Sequence, residues 1–178
     1  SSIVTVTMNL EGYYDATTHA MRPVLLNQGS GSSTTEVDEV TVELHDATSY
    51  ATVESTTAML QTNGTAVATF TSRSGSFYIV VKHRNALETW SANPVSVGAT
   101  ASYNFTDSAA KAYGNNMKML ETGVYGFYSG DINQDGFIEL SDFAPLFNDN
   151  DAAAEGYLTT DLNGDGFVES QDYPILIN

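Results

Sequence analysis

Apolar and polar residues alternate along much of the first hundred positions. In residues 3–10, Val4, Val6, Met8 and Leu10 share one face, the period-two pattern of a half-buried strand. Residues 11–36 break this rhythm, are rich in Gly, Ser and Thr, and read as a long loop holding Tyr13, Tyr14, Met21 and Pro23. Val40, Val42 and Leu44 predict a second strand. Residues 50–61 and 65–71 flank Asn63-Gly64, a two-residue hairpin signal. The apolar run from Phe77 to Val81 predicts a buried strand, and Val95–Val97 and Tyr103–Phe105 bring the set to about seven. The expected fold class is mainly β: an approximately seven-stranded β-sandwich over 1–106, a connector over 107–124, and a small two-loop, short-helix module over 125–178. The connector is expected to carry a short helix around Ser108–Tyr113. Met117, Met119, Val124 and Phe127 are expected to dock the two parts into one rigid body.

Past residue 125 the alternation gives way to two matching acidic loops, 30 residues apart. The first runs from Asp131 to Asp142 and the second from Asp161 to Asp172. Loop positions 1, 3, 5, 9 and 12 carry side-chain oxygens: Asp131, Asn133, Asp135, Glu139 and Asp142, then Asp161, Asn163, Asp165, Glu169 and Asp172. Position 6 is Gly136 or Gly166, where the chain must turn sharply. Position 7 offers a backbone carbonyl, from Phe137 or Phe167. Calcium is a hard cation that takes six to eight oxygens at about 2.3–2.6 Å, and this spacing supplies them from one tight loop. Two Ca2+ ions are therefore expected, one per loop. The Phe137 and Phe167 rings are expected to point into a core, and Ile138 and Val168, at position 8, to form a short β-bridge between the loops. Asp142 and Asp172 stand where calcium loops commonly carry the longer Glu, and bind bidentately if the backbone sits closer.

With Asp at position 12 in both copies, the repeats resemble dockerin repeats, the duplicated calcium modules of secreted bacterial proteins. That resemblance covers about residues 125–178. It implies one helix after each loop, a pseudo-two-fold relation between the repeats, and a cohesin-type partner that reads residues late in each loop: Leu140 and Ser141, then Ser170 and Gln171. Pro145 and Pro174 depart from the pattern, each four residues after a possible Ser cap, and predict short or distorted helices. The stretch Val40–Arg84, with VTVELHDAT, TNGTAVATF and GSFYIVVKHRN, resembles a transthyretin-like or carboxypeptidase-regulatory-like sandwich. Together the two parts are similar to C-terminal regions of Bacteroidota-type surface proteins.

Composition narrows the partners. The 178-residue chain carries 22 acids against six Lys and Arg, a net charge of −16. Eight of those acids lie in the two loops. Nothing supplies a basic surface for phosphates, so nucleic acid is excluded as a partner, and anionic membranes are disfavoured. No apolar run is long enough to span a bilayer, so membrane insertion is not expected. Cysteine is absent; calcium in place of disulfides suits an extracellular or cell-surface home, where weak calcium sites fill.

No catalytic constellation stands out. His19, His45 and His83 are scattered, no nucleophile elbow is present, and His83 reads as a surface histidine at a strand end. The expected function is a calcium-stabilised, non-enzymatic structural or adhesive surface module. One alternative is a filament subunit whose run from residue 3 adds to a neighbour's sheet edge. Another is a carbohydrate-binding or cohesin-docking module of a larger secreted enzyme. For a glycan, Trp90 with Tyr13 and Tyr14 is the candidate platform, weighed against Trp90 capping the sandwich core.

Overall fold

Two sheets turn their apolar faces toward each other, and the period-two pattern dictates which residues meet. The structure, a computed structural model, describes residues 1–177. In chain order the first elements are β1 (Ser2–Thr7), β2 (Tyr14–Asp15), β3 (Ala20–Met21), α1 (Val24–Asn27) and β4 (Glu36–Asp46). Then come β5 (Thr52–Gln61), β6 (Thr65–Phe70), β7 (Gly75–Lys82), β8 (Thr89–Trp90), β9 (Val95–Val97) and β10 (Thr100–Asn104). The chain closes with β11 (Lys118–Glu121), β12 (Val124–Gly126), α2 (Leu140–Asp151) and α3 (Tyr173–Leu176).

The smaller sheet has the order β10-β1-β6. β1 runs parallel to β10, from Ile3↔Thr100 to Thr7↔Asn104, and antiparallel to β6, from Ser2↔Phe70 to Thr7↔Thr65. Val4 and Val6 are fully buried while Ile3 is exposed. The run from residue 3 is thus a central strand with both edges occupied, and it cannot add to a neighbour's sheet as expected.

The larger sheet has the order β5-β4-β7-β8, with β9 also paired to β7. Val40, Val42 and Leu44 of β4 face Ile79 and Val81 of β7 inside the core, each buried side chain contributing about 1.5–3 kcal/mol. The opposite, outer face carries Glu43 and His45 beside their register partners Val80 and Tyr78. Trp90 pairs with Val80 on this outer face, so it does not cap the sandwich core.

Asn63-Gly64 makes a turn but not a hairpin. β5 pairs with β4 and β6 with β1, so the turn carries the chain from one sheet to the other. Buried Leu60 and Ala66 each belong to the inner face of their own sheet, and burying both requires that crossing. Residues 11–36 are also more ordered than their composition implies. They hold a 3-10 turn at Glu11–Tyr13, the β2–β3 pair and α1, with Tyr13, Met21 and Val24 buried in the core.

In the segment 107–124, a 3-10 turn at Ala109–Lys111 starts where the Ser108 hydroxyl accepts from Ala110 N–H, and β11 pairs with β12. Met117 and Phe127 are buried, but Met119 is 57% exposed, because alternation along β11 sends it outward, and it docks nothing. Beyond lies a second, small apolar cluster of Ile132, Leu146, Leu162, Val168 and Leu176. α2 runs for 12 residues straight through Pro145; the missing N–H costs one helical hydrogen bond near the helix start without ending it. Of the two helices that follow the loops, only α3, four residues with Pro174 in its first turn, is short. Neither expected serine caps a helix: the caps are Glu139 and Asp172.

Candidate metal centre

Each acidic loop is wound around its first and last carboxylates. In the first loop, Asp131 accepts from Asp135 N–H (3.1 Å) and Gly136 N–H (3.1 Å). Asp142 accepts from Ile132 N–H (2.8 Å), Asn133 N–H (3.1 Å) and Glu139 N–H (2.9 Å). The second loop repeats this except at its first carboxylate, where Gly164 N–H (2.9 Å) takes the place of the position-5 donor. Asp172 accepts from Leu162 (2.8 Å), Asn163 (3.0 Å) and Glu169 (2.9 Å), and Asp161 from Gly166 (2.8 Å). The Asn133 and Asn163 side-chain oxygens accept from Asp135 and Asp165 N–H, both at 3.0 Å. Gly136 and Gly166 take φ +91 and +96, the left-handed turn that position 6 requires.

Among the described residues, no three acidic or histidine side chains converge closely enough to form a metal cluster alone. A calcium loop does not depend on such a cluster, because an amide oxygen at position 3 and a carbonyl at position 7 complete its shell. The candidate donors are all hard oxygen: Asp131, Asn133, Asp135, Phe137, Glu139 and Asp142 in one loop, Asp161, Asn163, Asp165, Phe167, Glu169 and Asp172 in the other. Electrostatics fit the same ion. Burial pushes the Asp131 carboxyl up, and Asp142 and Asp135 add to the rise. Burial likewise raises Asp161 and pushes Asp172 up to about 6, with Asp161 contributing. Buried carboxylates raised by one another are relieved by a divalent cation.

Two details of the loops differ from expectation. The Phe137 and Phe167 rings are 66% and 54% exposed. The small core is filled instead by position 2 (Ile132, Leu162) and position 8 (Ile138, Val168), so a ring at position 7 has no inward place. The expected bridge between Ile138 and Val168 is replaced as well. The chain after α2 returns beside the second loop, pairing Glu155 with Phe167, with Val168 N–H donating to the Ala154 carbonyl at 2.9 Å.

The second loop is built into the sandwich. The Gln28 amide donates to the Asp161 carboxylate at 2.8 Å, the Asn27 amide to the Gly164 carbonyl at 2.9 Å, and Arg22 to the Asn163 carbonyl at 3.3 Å. Gly12 packs so close that a Cβ there would lie 1.9 Å from the Leu162 carbonyl oxygen. Behind Gln28 stands a charged group. Its side-chain oxygen accepts from Arg84 (2.6 Å), Arg84 donates to Asp38 (2.7 Å), and so does His83 (2.7 Å). Burial opposes charge on Asp38, yet His83 and Arg84 hold its carboxyl below the usual range. Burial pushes the His83 imidazole down, so it serves as a neutral donor. His83 is thus a buried structural histidine rather than a surface one. Arg84 also lies 4.1 Å over the Tyr157 ring, a contact that helps offset its buried, unpaired Nη1.

The first loop touches the sandwich lightly, chiefly through Gln134, whose amide donates to the Ala86 carbonyl at 3.2 Å. Asn133, Asp135 and Gly136 are exposed there, whereas Gly166 is buried and Asn163 and Asp165 half-buried. All four late-loop positions, Leu140, Ser141, Ser170 and Gln171, are exposed, Leu140 by 85%. The candidate sugar platform is dispersed: Tyr13 is buried, and the Tyr14 hydroxyl donates to Glu121 at 2.8 Å. Gln28, Asn27, Arg22 and Arg84 escape sequence reasoning because their partners are far away in the chain, 133 residues for Gln28. The cluster of amides at Asn27-Gln28 after Pro23 is the only local hint.

This geometry matches known proteins at two levels. Residues 129–178 match the family model of the dockerin type I domain. No curated protein matches the chain. In fold, the chain is similar to a chain in crystal structures of a type II cohesin–X–dockerin complex from Acetivibrio cellulolyticus, one an N-terminal and one a C-terminal interface mutant. Both matches have a TM-score of 0.57 and 20% identity, and cover 99% of this chain and 94% of that one. At that identity the likeness is one of fold, and it spans both the sandwich and the acidic loops.

Proposed function

We propose that this chain is an extracellular docking module: the two loops hold Ca2+ through the twelve residues named above, and the outward side of the loop–helix segment binds a cohesin-type receptor. The observation that carries the reading is the dockerin match over 129–178, within which the late-loop positions Leu140, Ser141, Ser170 and Gln171 lie exposed. Leu140 is joined by Ile177 (71% exposed) along a shallow apolar groove that also touches Phe143 and Leu176. Exposed aliphatic groups rimmed by polar residues are the anatomy of a protein contact.

This reading replaces a purely structural or adhesive role, and it assigns recognition rather than catalysis. The sandwich acts as the base on which the second loop is set, so domains 1–106, 107–124 and 125–178 work as one body. A place outside the cell follows from the calcium requirement; among the described residues no helix is long and apolar enough to cross a membrane.

The test is calorimetric titration of the chain against purified type I and type II cohesins, with calcium and with EDTA. Binding by one class in calcium, abolished by EDTA and weakened at least tenfold by Leu140→Asp, is expected. Failure to bind either class, or equal binding in EDTA, overturns the proposal.

A further inference from the structure

We propose a second binding site on the outer face of the larger sheet: an aromatic cleft for a neutral, β-linked polysaccharide chain, formed by Tyr50, Trp90 and Tyr113 with Glu88 and Asn116. The face opposite the core is usually where a sandwich turns polar. Here it gathers rings instead. Trp90 packs on His45 with centroids 4.4 Å apart and stands 5.7 Å from Tyr78 and 6.4 Å from Tyr50. Tyr113 closes the other side, 6.2 Å from Tyr78. Tyr50 and Tyr113 are 54% and 57% exposed. Aromatic area left in water by a folded chain marks a surface kept for a ligand.

The cleft has depth and direction. Tyr50, Glu88, Trp90, Tyr113 and Asn116 line a cavity of about 420 Å³, within the range of ligand sites. A second cavity of about 450 Å³ shares Glu88, Trp90 and Asn116 and continues past Leu87 to Gly136 of the first acidic loop. Trp90 therefore sits at the middle of an elongated groove. Its ring is fixed by donating Nε1–H to the Glu88 carboxylate at 3.0 Å, while the Asn116 amide donates to the Glu88 carbonyl at 3.4 Å. Among the described residues, the Tyr50 and Tyr113 hydroxyls, Asn116 Oδ1 and the second Glu88 oxygen take no hydrogen-bond partner in the chain, so each is left for a ligand.

Tyr50 carries the further sign. Its φ is +62, a conformation unfavourable for a bulky side chain and easy for glycine. The turn holds it there by donating Tyr50 N–H to the Asp46 carbonyl at 3.0 Å, and the Tyr50 carbonyl bonds the His45 ring at 2.8 Å. Asp46 also caps the turn through Thr48 and Ser49 N–H. The turn needs no aromatic side chain, and the ring it presents instead faces the cleft.

The occupant follows from the lining. A β-linked pyranose chain is a flat ribbon with apolar C–H faces and hydroxyl edges, and it matches ring faces bordered by a carboxylate, an amide and phenols. An apolar peptide anchor would want aliphatic walls, and the part between Tyr50 and Tyr113 has none. Nucleic acid and acidic glycans are repelled by Glu88 on a chain of net charge −16. A quaternary ammonium would want a small closed cage, not a groove running on to the first loop.

The experiment is affinity electrophoresis and calorimetry in calcium with hydroxyethylcellulose, glucomannan and cellohexaose, with tetramethylammonium as the competing probe. Binding of at least one glycan is expected, weakened tenfold or more by Tyr113→Ala and by Tyr50→Gly. Tyr50→Gly is the decisive variant: it should leave the thermal midpoint unchanged or raise it while it removes binding. Leu140→Asp should keep glycan binding, so this site and the docking face fail separately. No retardation by any glycan, undiminished binding by both tyrosine variants, or binding of tetramethylammonium alone overturns the proposal.

Discussion

The two acidic loops are near copies in sequence and unlike in setting. Loop 131–142 stands in solvent, with Asn133, Asp135 and Gly136 exposed; loop 161–172 is wedged against Gly12, Asn27 and Gln28. The same ligand pattern thus serves two ends. Where the loop faces water, its order rests on its own contacts and, on the proposed reading, on the ion it would hold. Where it is buried, the sandwich has already oriented its first carboxylate, so that on the proposed reading ion and seam would stabilise each other. Among the described residues the small apolar cluster behind the loops holds five buried side chains, so the contacts of the second loop with the sandwich add to what holds the C-terminal segment.

The sharpest way to break the comparison is to remove matching carboxylates. In calcium, Asp161→Ala strands three donors, Gly164 N–H, Gly166 N–H and the Gln28 amide, all on buried residues, and should cost on the order of 3–6 kcal/mol. Asp131→Ala strands two at an exposed loop, where water replaces them, and should cost about 1 kcal/mol. Calcium-saturated urea melts measure both, and equal losses would erase the distinction.

Glycines offer a finer contrast. Gly136→Ala and Gly166→Ala share the strain of positive φ, but only the second places a Cβ 2.4 Å from the Asn27 carbonyl. Gly166→Ala should lose about 2 kcal/mol more than Gly136→Ala. Gly12→Ala, at an unstrained φ but against Leu162, should resemble the former.

Acidity tests the seam without mutation. In EDTA the Asp172 carboxyl is raised to about 6 by burial, above its unfolded value of 3.8. The folded state therefore holds a proton that the unfolded state has released, and the metal-free fold loses stability as pH rises from about 4 through about 6. Calcium should flatten or reverse that slope, because it binds the ionised form. Thermal midpoints against pH, with and without the ion, show the sign. The smallest expected effect is Gln28→Ala, which should weaken one of two calcium-binding steps about tenfold and leave the other unchanged in calorimetry.

Much of this was legible in the chain itself. The alternation of Val40, Val42 and Leu44 and the continuous apolar run Phe77–Val81 located the central strands, the first because alternation is a local record of a half-buried face, the second because an unbroken apolar run records a strand buried on both faces. The sharp turns at Gly136 and Gly166 were equally plain, because each lies within twelve consecutive residues that carry the whole loop pattern. The misses share one cause. Asn63-Gly64 reads as a hairpin locally, yet the partners of its flanking strands are β4 and β1, which no turn signal encodes. Val4 and Val6 show that a strand exists but not that it lies between β10 and β6. Phe137 and Phe167 seemed core residues by type, and only the filled positions 2 and 8 show otherwise. Gln28 carries no pattern that points to Asp161.

The middle position of β1 has a consequence in time. Ile3 pairs with Thr69 on one side and Thr100 on the other, so the smaller sheet closes only after most of the sandwich sequence is available. Gly12 then waits for Leu162. Contacts this distant along the chain slow folding into the millisecond-to-second range. A strand that comes early in the chain is thus among the last to be enclosed. Refolding followed from the first residues should lag behind refolding of β4 and β7, whatever the ion does at equilibrium.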